Sequence, residues 1–304
     1  MTETNLSFED TLNAQQLKAA KFKGRHLLVL AGAGTGKTRT IIARASYLLK
    51  SGVPENRILI LSFTRKSARE IVERIKMQMS NITSGALKGQ TFHSWCMELI
   101  KSHPQVFAQA DYTLIDEDDA RSCIKLVSDA YPKHASSRLV SPAKVYEIYS
   151  YCMNTRASLS EAMRKKFFNF SFKDDDKNSH HLKAIIDEKK PVFETIITQY
   201  LKYKHERQYI DYDDLLNIVA RGLKNNPEAR AFIASKYDHI LIDEMQDTNP
   251  LQYELLSNFY EHCHLFCVGD DAQSIYGFRG ADFTSIHKFS ECVPEAKVQR
   301  LTLN

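Results

Sequence analysis

Ala31-Gly32-Ala33-Gly34-Thr35-Gly36-Lys37-Thr38 decides the reading of this chain. The apolar run Leu27-Leu28-Val29-Leu30 precedes it and reads as a buried β-strand. Arg39 to Lys50 follows, with Ile41, Ile42, Ala45, Leu48 and Leu49 at helical spacing. Strand, glycine-rich loop and helix together form the setting of a phosphate-binding loop. The glycines let the backbone turn tightly and aim N–H groups at an anion, and the helix adds its partly positive N-terminus. In such a loop Lys37 reaches the β- and γ-phosphates of ATP, and the Thr38 hydroxyl ligates Mg²⁺. The strict pattern opens on glycine where this chain has Ala31; the position asks for a small residue, which alanine satisfies.

The chain has 304 residues, 43% apolar and 26% charged, enough for one large or two modest domains with a sizeable core. A formal net charge of +4 is too small to argue for nucleic acid by itself, so any basic surface is local. Cys96, Cys123, Cys152, Cys263, Cys267 and Cys292 are scattered, with no C-x-x-C pair, which speaks against a disulfide framework or a zinc ribbon. His262-Cys263-His264 with Cys267 is the tightest group, but Cys267 lies in the apolar run Leu265-Phe266-Cys267-Val268 and reads as a buried structural thiol. Met1 to Asp10 is polar, and no apolar run reaches the roughly 18 residues of a membrane span. The expected compartment is the reducing cytoplasm, with no membrane partner.

Asn13 reads as the N-cap of a first helix that ends near Lys21 to Gly24. A second buried strand, Ile58-Leu59-Ile60-Leu61, follows the turn Gly52-Val53-Pro54 and runs into a helix through about Met79. Strands alternating with helices predict a parallel sheet. From Trp95 to about Gln208 the periodicity is helical, with candidate helices at 96–102, 117–130, 143–152, 159–166 and 185–206. Lys173 to Asn178 reads there as a solvated charged loop. Asp211 starts another helix, and strands return at 239–242, 265–268 and 298–303, separated by helices near 250–261 and 283–291. The expected organisation is an α/β lobe in two pieces, 1–94 and 209–304, with an all-helical subdomain at 95–208. Asn304 follows a strand directly, which suggests a fragment of a longer protein.

Three further stretches carry chemistry. Ile240-Leu241-Ile242-Asp243-Glu244 sets two acids at the carboxyl end of a buried strand, the edge where open parallel sheets bind ligands. Asp243 is placed to serve Mg²⁺, and Glu244 to orient and deprotonate an attacking water. Gly269 to Gly280 follows the next strand; its Gln273 can bond to a γ-phosphate or to that water. Tyr276, Phe278 and Arg279 suit stacking on unpaired bases with a cation on the phosphate. Phe63-Thr64-Arg65-Lys66 and Thr91-Phe92-His93-Ser94 repeat the aromatic and polar theme at strand ends, and His93 has no neighbour at metal-ligand spacing.

In this combination the chain resembles the UvrD/Rep/PcrA group of superfamily 1 helicases from about Leu12 to Asn304, more loosely over the helical insert. The resemblance implies a RecA-like lobe of the P-loop NTPases. Leu12 to Gln16 is similar to the adenine-reading segment, which makes Gln16 the base-specific contact, and Arg39 is expected near the adenine. Ser62 to Ala68 and Thr91 to Ser94 resemble two DNA-contacting motifs, which assigns Phe63, Thr64, Arg65 and His93 to DNA; Arg65 replaces the usual asparagine. Asp211 to Leu216 resembles an acidic helix start with a structural or coupling role. Leu241 to Asn249 is similar to the Mg²⁺ and catalytic-base motif, and Gly269 to Gly280 to the sensor motif, with Phe278 where tryptophan is common. The implied activity is an ATP-dependent 3′-to-5′ DNA helicase acting on single-stranded DNA and its junctions with duplex. Leu301-Thr302-Leu303-Asn304 is where the family continues into a second RecA-like lobe that completes the ATP site. The alternatives are a non-motor nucleotide-binding regulatory module and the helicase part of a helicase–nuclease.

Overall fold

The computed structural model describes residues 8–80, 83–107, 111–130, 140–167, 176–270 and 289–302. Its strands are β1 (His26–Ala31), β2 (Ile58–Ser62), β3 (Lys88–Thr91), β4 (Thr113–Leu114), β5 (Tyr209–Ile210), β6 (His239–Ile242), β7 (His264–Gly269) and β8 (Ala296–Leu301). The helices are α1 (Ala14–Ala20), α2 (Lys37–Lys50), α3 (Arg65–Gln78), α4 (Phe92–Ser102), α5 (Pro104–Phe107), α6 (Glu117–Asp129), α7 (Pro142–Thr155), α8 (Leu159–Phe167), α9 (Asp176–Glu206), α10 (Tyr212–Asn225), α11 (Pro227–Ala234) and α12 (Pro250–Ser257). One more turn of helix covers Phe289–Cys292. None of the described helices is long and apolar enough to cross a membrane.

Two compact units result: Met1–Val106 with Val219–Asn304, and Phe107–Ile218. The first holds a six-stranded sheet in the order β3-β2-β6-β7-β1-β8, and every neighbouring pair in it is parallel. β1 and β2 are buried along their whole length, as their unbroken apolar runs require of strands covered on both faces. Leu27, Val29, Ile60, Leu241, Phe266 and Val268 form the sheet's share of the core, and Ile41, Ala45 and Ile71 supply the helical share. Asn13 caps α1 through a reciprocal capping box with Gln16. Gly52 turns the chain with φ +87°.

β3 escaped the sequence reading because Lys88-Gly89-Gln90-Thr91 has no apolar residue. It is an edge strand. A Cβ at Gly89 would lie 2.5 Å from the Ala68 carbonyl oxygen and 2.8 Å from Val72, so glycine is what lets α3 close onto this strand. α11 was also missed, although Asn226 caps it and Pro227 opens it. The helix expected near 250–261 stops at Ser257, and most of the one expected at 283–291 lies outside the described residues.

The expected boundaries at 94/95 and 208/209 move to 106/107 and 218/219. Trp95 is buried, donates from Nε1 to the Tyr237 hydroxyl (3.1 Å) and packs 5.1 Å from the Phe259 ring, which keeps α4 with the large sheet. The second unit is not all-helical: β4 and β5 pair as a short parallel ribbon. Asp176 to Asn178 belong to α9 rather than to a solvated loop. The core of this unit gathers Ile124, Val145, Tyr149, Met163, Phe193 and Tyr200.

The acidic start of α10 is tied into the same unit. Lys204 Nζ, almost fully buried, reaches Asp211 Oδ2 and Asp214 Oδ2 at 2.6 Å each and the Tyr149 hydroxyl at 3.0 Å. The Tyr200 hydroxyl donates to Asp211 (2.9 Å), and Asn154 to Asp213 (2.6 Å). Burial first, and then the neighbouring Asp211 carboxylate, push the Asp213 carboxyl up to about 6. Removing the one buried cation of this group strands its carboxylates. Lys204→Met is therefore expected to cost about 3–5 kcal/mol of stability, read as a lowered urea midpoint of the 107–218 unit.

Candidate active site

The loop 31–38 sits between β1 and α2 in the conformation that its glycines allow. Gly34 and Gly36 have φ +77° and +89°, the left-handed region where a side chain is strained. Thr35 folds back on Gly32, its N–H (3.2 Å) and hydroxyl (2.7 Å) both reaching the Gly32 carbonyl. The Gly36 carbonyl accepts from the Thr40 N–H and hydroxyl, 2.9 Å each, and this starts α2. Ala31 is the last residue of β1 and is buried, so the small residue there is part of the core. Ala33 and Gly34 are exposed, whereas Lys37 and Thr38 at the start of α2 are half-buried.

Two other strand ends meet this loop. Lys37 Nζ lies 3.3 Å from Asp270 Oδ2, just beyond β7, and 3.6 Å from Glu244 Oε2, beyond β6. Glu244 occupies the left-handed region at φ +54°, ψ +47°, in the tight turn that aims its side chain. Gln246, buried, donates from Nε2 to Glu244 Oε2 (2.6 Å) and accepts at Oε1 from the Asp270 N–H (2.9 Å). Asp243 extends the β6 pairing through its N–H to the Leu61 carbonyl (2.9 Å). The residue is 4% exposed. Oδ2 accepts from the Ser67 hydroxyl (3.3 Å), and Oδ1 is buried with no partner among the described residues. Burial first, and then the charge of Glu244, push the Asp243 carboxyl up to about 6, against the Ser67 hydrogen bond.

A buried carboxylate with an unpaired oxygen fits a cation. Asp243 offers an oxygen donor of the kind that suits Mg²⁺, an ion that keeps waters and phosphate oxygens in its shell, and Thr38 stands in the first turn of α2. Among the described residues no group of three or more His, Cys, Asp or Glu could hold a metal ion.

The other expected contacts divide into three groups. Both ends of the Gln16 amide are engaged within the protein: Oε1 accepts from the Asn13 N–H (3.1 Å), and Nε2 donates to the Thr35 carbonyl (2.9 Å). A Cβ on Gly36 would come 2.4 Å from that Nε2, so Gln16 braces the phosphate loop, a role its sequence context did not announce. Arg39 is exposed and reaches the Thr11 carbonyl at 3.4 Å. Phe63, Thr64 and Arg65 follow β2, and His93 follows β3; the register Ser62↔Thr91 puts them at neighbouring strand ends on the carboxyl edge. Phe63 is 38% exposed and Arg65 is exposed. Thr64 caps α3 by accepting from the Ser67 N–H (3.1 Å). His93 is half-buried, and burial lowers its pKa. Gln273, Tyr276, Phe278 and Arg279 lie outside the described residues. Ser67, Gln246 and Asp270 were not singled out in the sequence, although each falls inside a quoted motif; only their hydrogen bonds mark them.

The raised Asp243 carboxyl has a definite signature in pH. Its folded value of about 6 exceeds the ordinary carboxylate value of about 3.9. Between the two the folded protein holds a proton that the unfolded chain has released, so stability falls as pH rises from about 4 to above 6. Asp243→Asn is expected to raise stability by about 1–3 kcal/mol at pH 7–8 and by little near pH 4, measured by denaturant titration at both pH values.

Comparison with known proteins agrees with this geometry. The family model for the UvrD/REP helicase N-terminal domain matches residues 12–294. Proteins named ATP-dependent DNA helicase PcrA are similar: one from Staphylococcus epidermidis is 30% identical over 298 residues, and one from Staphylococcus aureus 29% identical over 296. In each case the match covers 96% of this chain and 38% of the relative's length. A parallel sheet carrying the phosphate loop, the paired acids at the end of β6 and a family match over nearly the whole chain converge on one assignment: the chain belongs to the UvrD/REP helicase N-terminal domain family.

Proposed function

We propose that this chain is the first motor lobe of a cytoplasmic ATP-dependent DNA helicase, moving 3′-to-5′ on single-stranded DNA and working at its junctions with duplex. In this reading two sequence pieces on either side of the helical insert carry the lobe, expected at 1–94 and 209–304 and packed as 1–106 and 219–304, and a second RecA-like lobe of the intact protein closes on the ATP site. The observation that carries the reading is the convergence on Lys37: the loop cation lies within 3.6 Å of acids from two other strand ends. The name borne by the staphylococcal relatives, ATP-dependent DNA helicase, supports it.

The loop N–H groups and the α2 N-terminus receive the phosphates of ATP. Lys37 leaves Asp270 and Glu244 for the β- and γ-phosphate oxygens. That exchange strips Glu244 of its cation and leaves a carboxylate able to orient a water and accept its proton. Asp243 and Thr38 hold Mg²⁺, which when bound neutralises charge on the phosphoryl oxygens. Gln273 reports the γ-phosphate state. Phe63, Tyr276 and Phe278 stack on unpaired bases, while Arg65, Arg279, Thr64 and His93 contact the DNA backbone. Closure of the second lobe adds the arginine that completes the site and couples hydrolysis to movement along the strand.

The test is ATP binding by this chain and ATP hydrolysis by the intact protein, with and without a single-stranded oligonucleotide. Hydrolysis stimulated by DNA is expected, with Lys37→Ala losing at least about tenfold in nucleotide affinity or turnover. Normal affinity together with normal turnover in Lys37→Ala would overturn the site assignment. ATP hydrolysis indifferent to DNA would overturn the helicase reading.

A further inference from the structure

The Gln246 side chain joins two strand ends that the ATPase reading uses separately. Its donor holds Glu244 Oε2 at 2.6 Å, beyond β6, and its acceptor holds the Asp270 N–H at 2.9 Å, beyond β7. Asp270 Oδ2 and Glu244 Oε2 in turn both face Lys37 Nζ, at 3.3 and 3.6 Å. Lys37, Asp270, Gln246 and Glu244 thus close a ring of polar contacts across three strand ends. Gln246 is 3% exposed, so its amide has no water to fall back on, and both of its polar ends are used.

The geometry points to Gln246 as the positioning residue of the base, an assignment that rests on the ATPase reading above. Glu244 is a long, flexible side chain, 35% exposed, on a residue in the left-handed region. Two described groups touch its Oε2: Lys37 and the Gln246 amide. Lys37 is drawn to phosphate when nucleotide binds, which leaves the amide to hold the carboxylate in line. The amide neither gives up nor takes a proton; it fixes where the carboxylate lies. The task requires one donor and one acceptor at the same side-chain end. Glutamine has both, whereas glutamate offers only acceptors when ionised and leucine offers neither. Through the Asp270 N–H, the same amide ties the base to the β7 end, so a shift of that strand end is felt at Glu244.

Steady-state hydrolysis in the intact protein with saturating single-stranded DNA, together with a stability cycle on this chain, tests the assignment. Gln246→Leu and Gln246→Glu are expected to lower kcat at least tenfold while KM and the ATP dissociation constant stay within twofold. The reciprocal pair Glu244→Gln with Gln246→Glu restores one donor facing one acceptor. Gln246→Glu is therefore expected to lower the melting temperature at least twice as much in the wild-type background as in Glu244→Gln. Wild-type kcat in Gln246→Leu overturns the assignment even if the stability coupling is present, because the contact is then structural only. Equal loss of kcat and affinity overturns it as general damage to the site, and equal melting shifts in both backgrounds show that the amide does not hold Glu244. The ATPase reading fails separately, if the wild type does not hydrolyse ATP or Lys37→Ala is indifferent.

Discussion

β1 and β7 are hydrogen-bonded neighbours, with Leu30 opposite Gly269, and the site depends on that pairing. The pairing makes the phosphate loop and Asp270 leave the sheet side by side. β6 pairs with the other edge of β7, Ile242 opposite Cys267, and so delivers Asp243 and Glu244 to the same rim. A slip of one residue in either ladder would turn every side chain of the strand to the opposite face. Unbroken burial of β1, and of β7 after its first residue, gives that register many apolar contacts to lose, and this holds the acids and the cation within a few ångströms of one another.

The polar groups on this rim are not individually comfortable. A carboxylate with one unpaired buried oxygen and a glutamate at positive φ each cost free energy, while the lysine between that glutamate and Asp270 is paired with two acids. The apolar sheet beneath them offsets those costs. Under the proposed function a polyanion takes the lysine over from its two acids, and a divalent ion relieves the aspartate. The Lys204 cluster in the helical unit differs in kind. Its cation and the Asp211 and Asp214 carboxylates satisfy one another inside a packed core, joined by tyrosine hydroxyls, while Asp213 keeps one buried oxygen without a partner among the described residues.

Much of the sheet could be read directly from the chain. β1, β2, β6 and β7 announce themselves because a strand covered on both faces must be apolar throughout. α3 does so because one face is buried, and α2 because its large apolar residues recur at helical spacing, although it is buried nearly all round. β3 could not be read, since an edge strand has no such requirement and Gly89 is there for the close approach of the Ala68 carbonyl. Nor could β4 and β5, whose pairing joins residues nearly a hundred positions apart through only two residues each. Gln16 shows the same divide inside the site: its place three residues after the cap residue Asn13 was visible, but its hold on the Thr35 carbonyl was not.

The sequence by itself determined the phosphate loop, because left-handed backbone at Gly34 and Gly36 and a small residue at Ala31 are local demands that local residue types must meet. It also determined that Asp243 and Glu244 end a buried strand, since apolar β-strand residues lead straight into them. Only the tertiary structure decided which groups those residues face. Lys37 between Asp270 and Glu244, Ser67 on Asp243, and Gln246 across two strand ends are contacts between segments that sequence order does not bring together. Their partners are chosen by strand order and register, which come from burying the whole sheet at once, so no single stretch of the chain contains them.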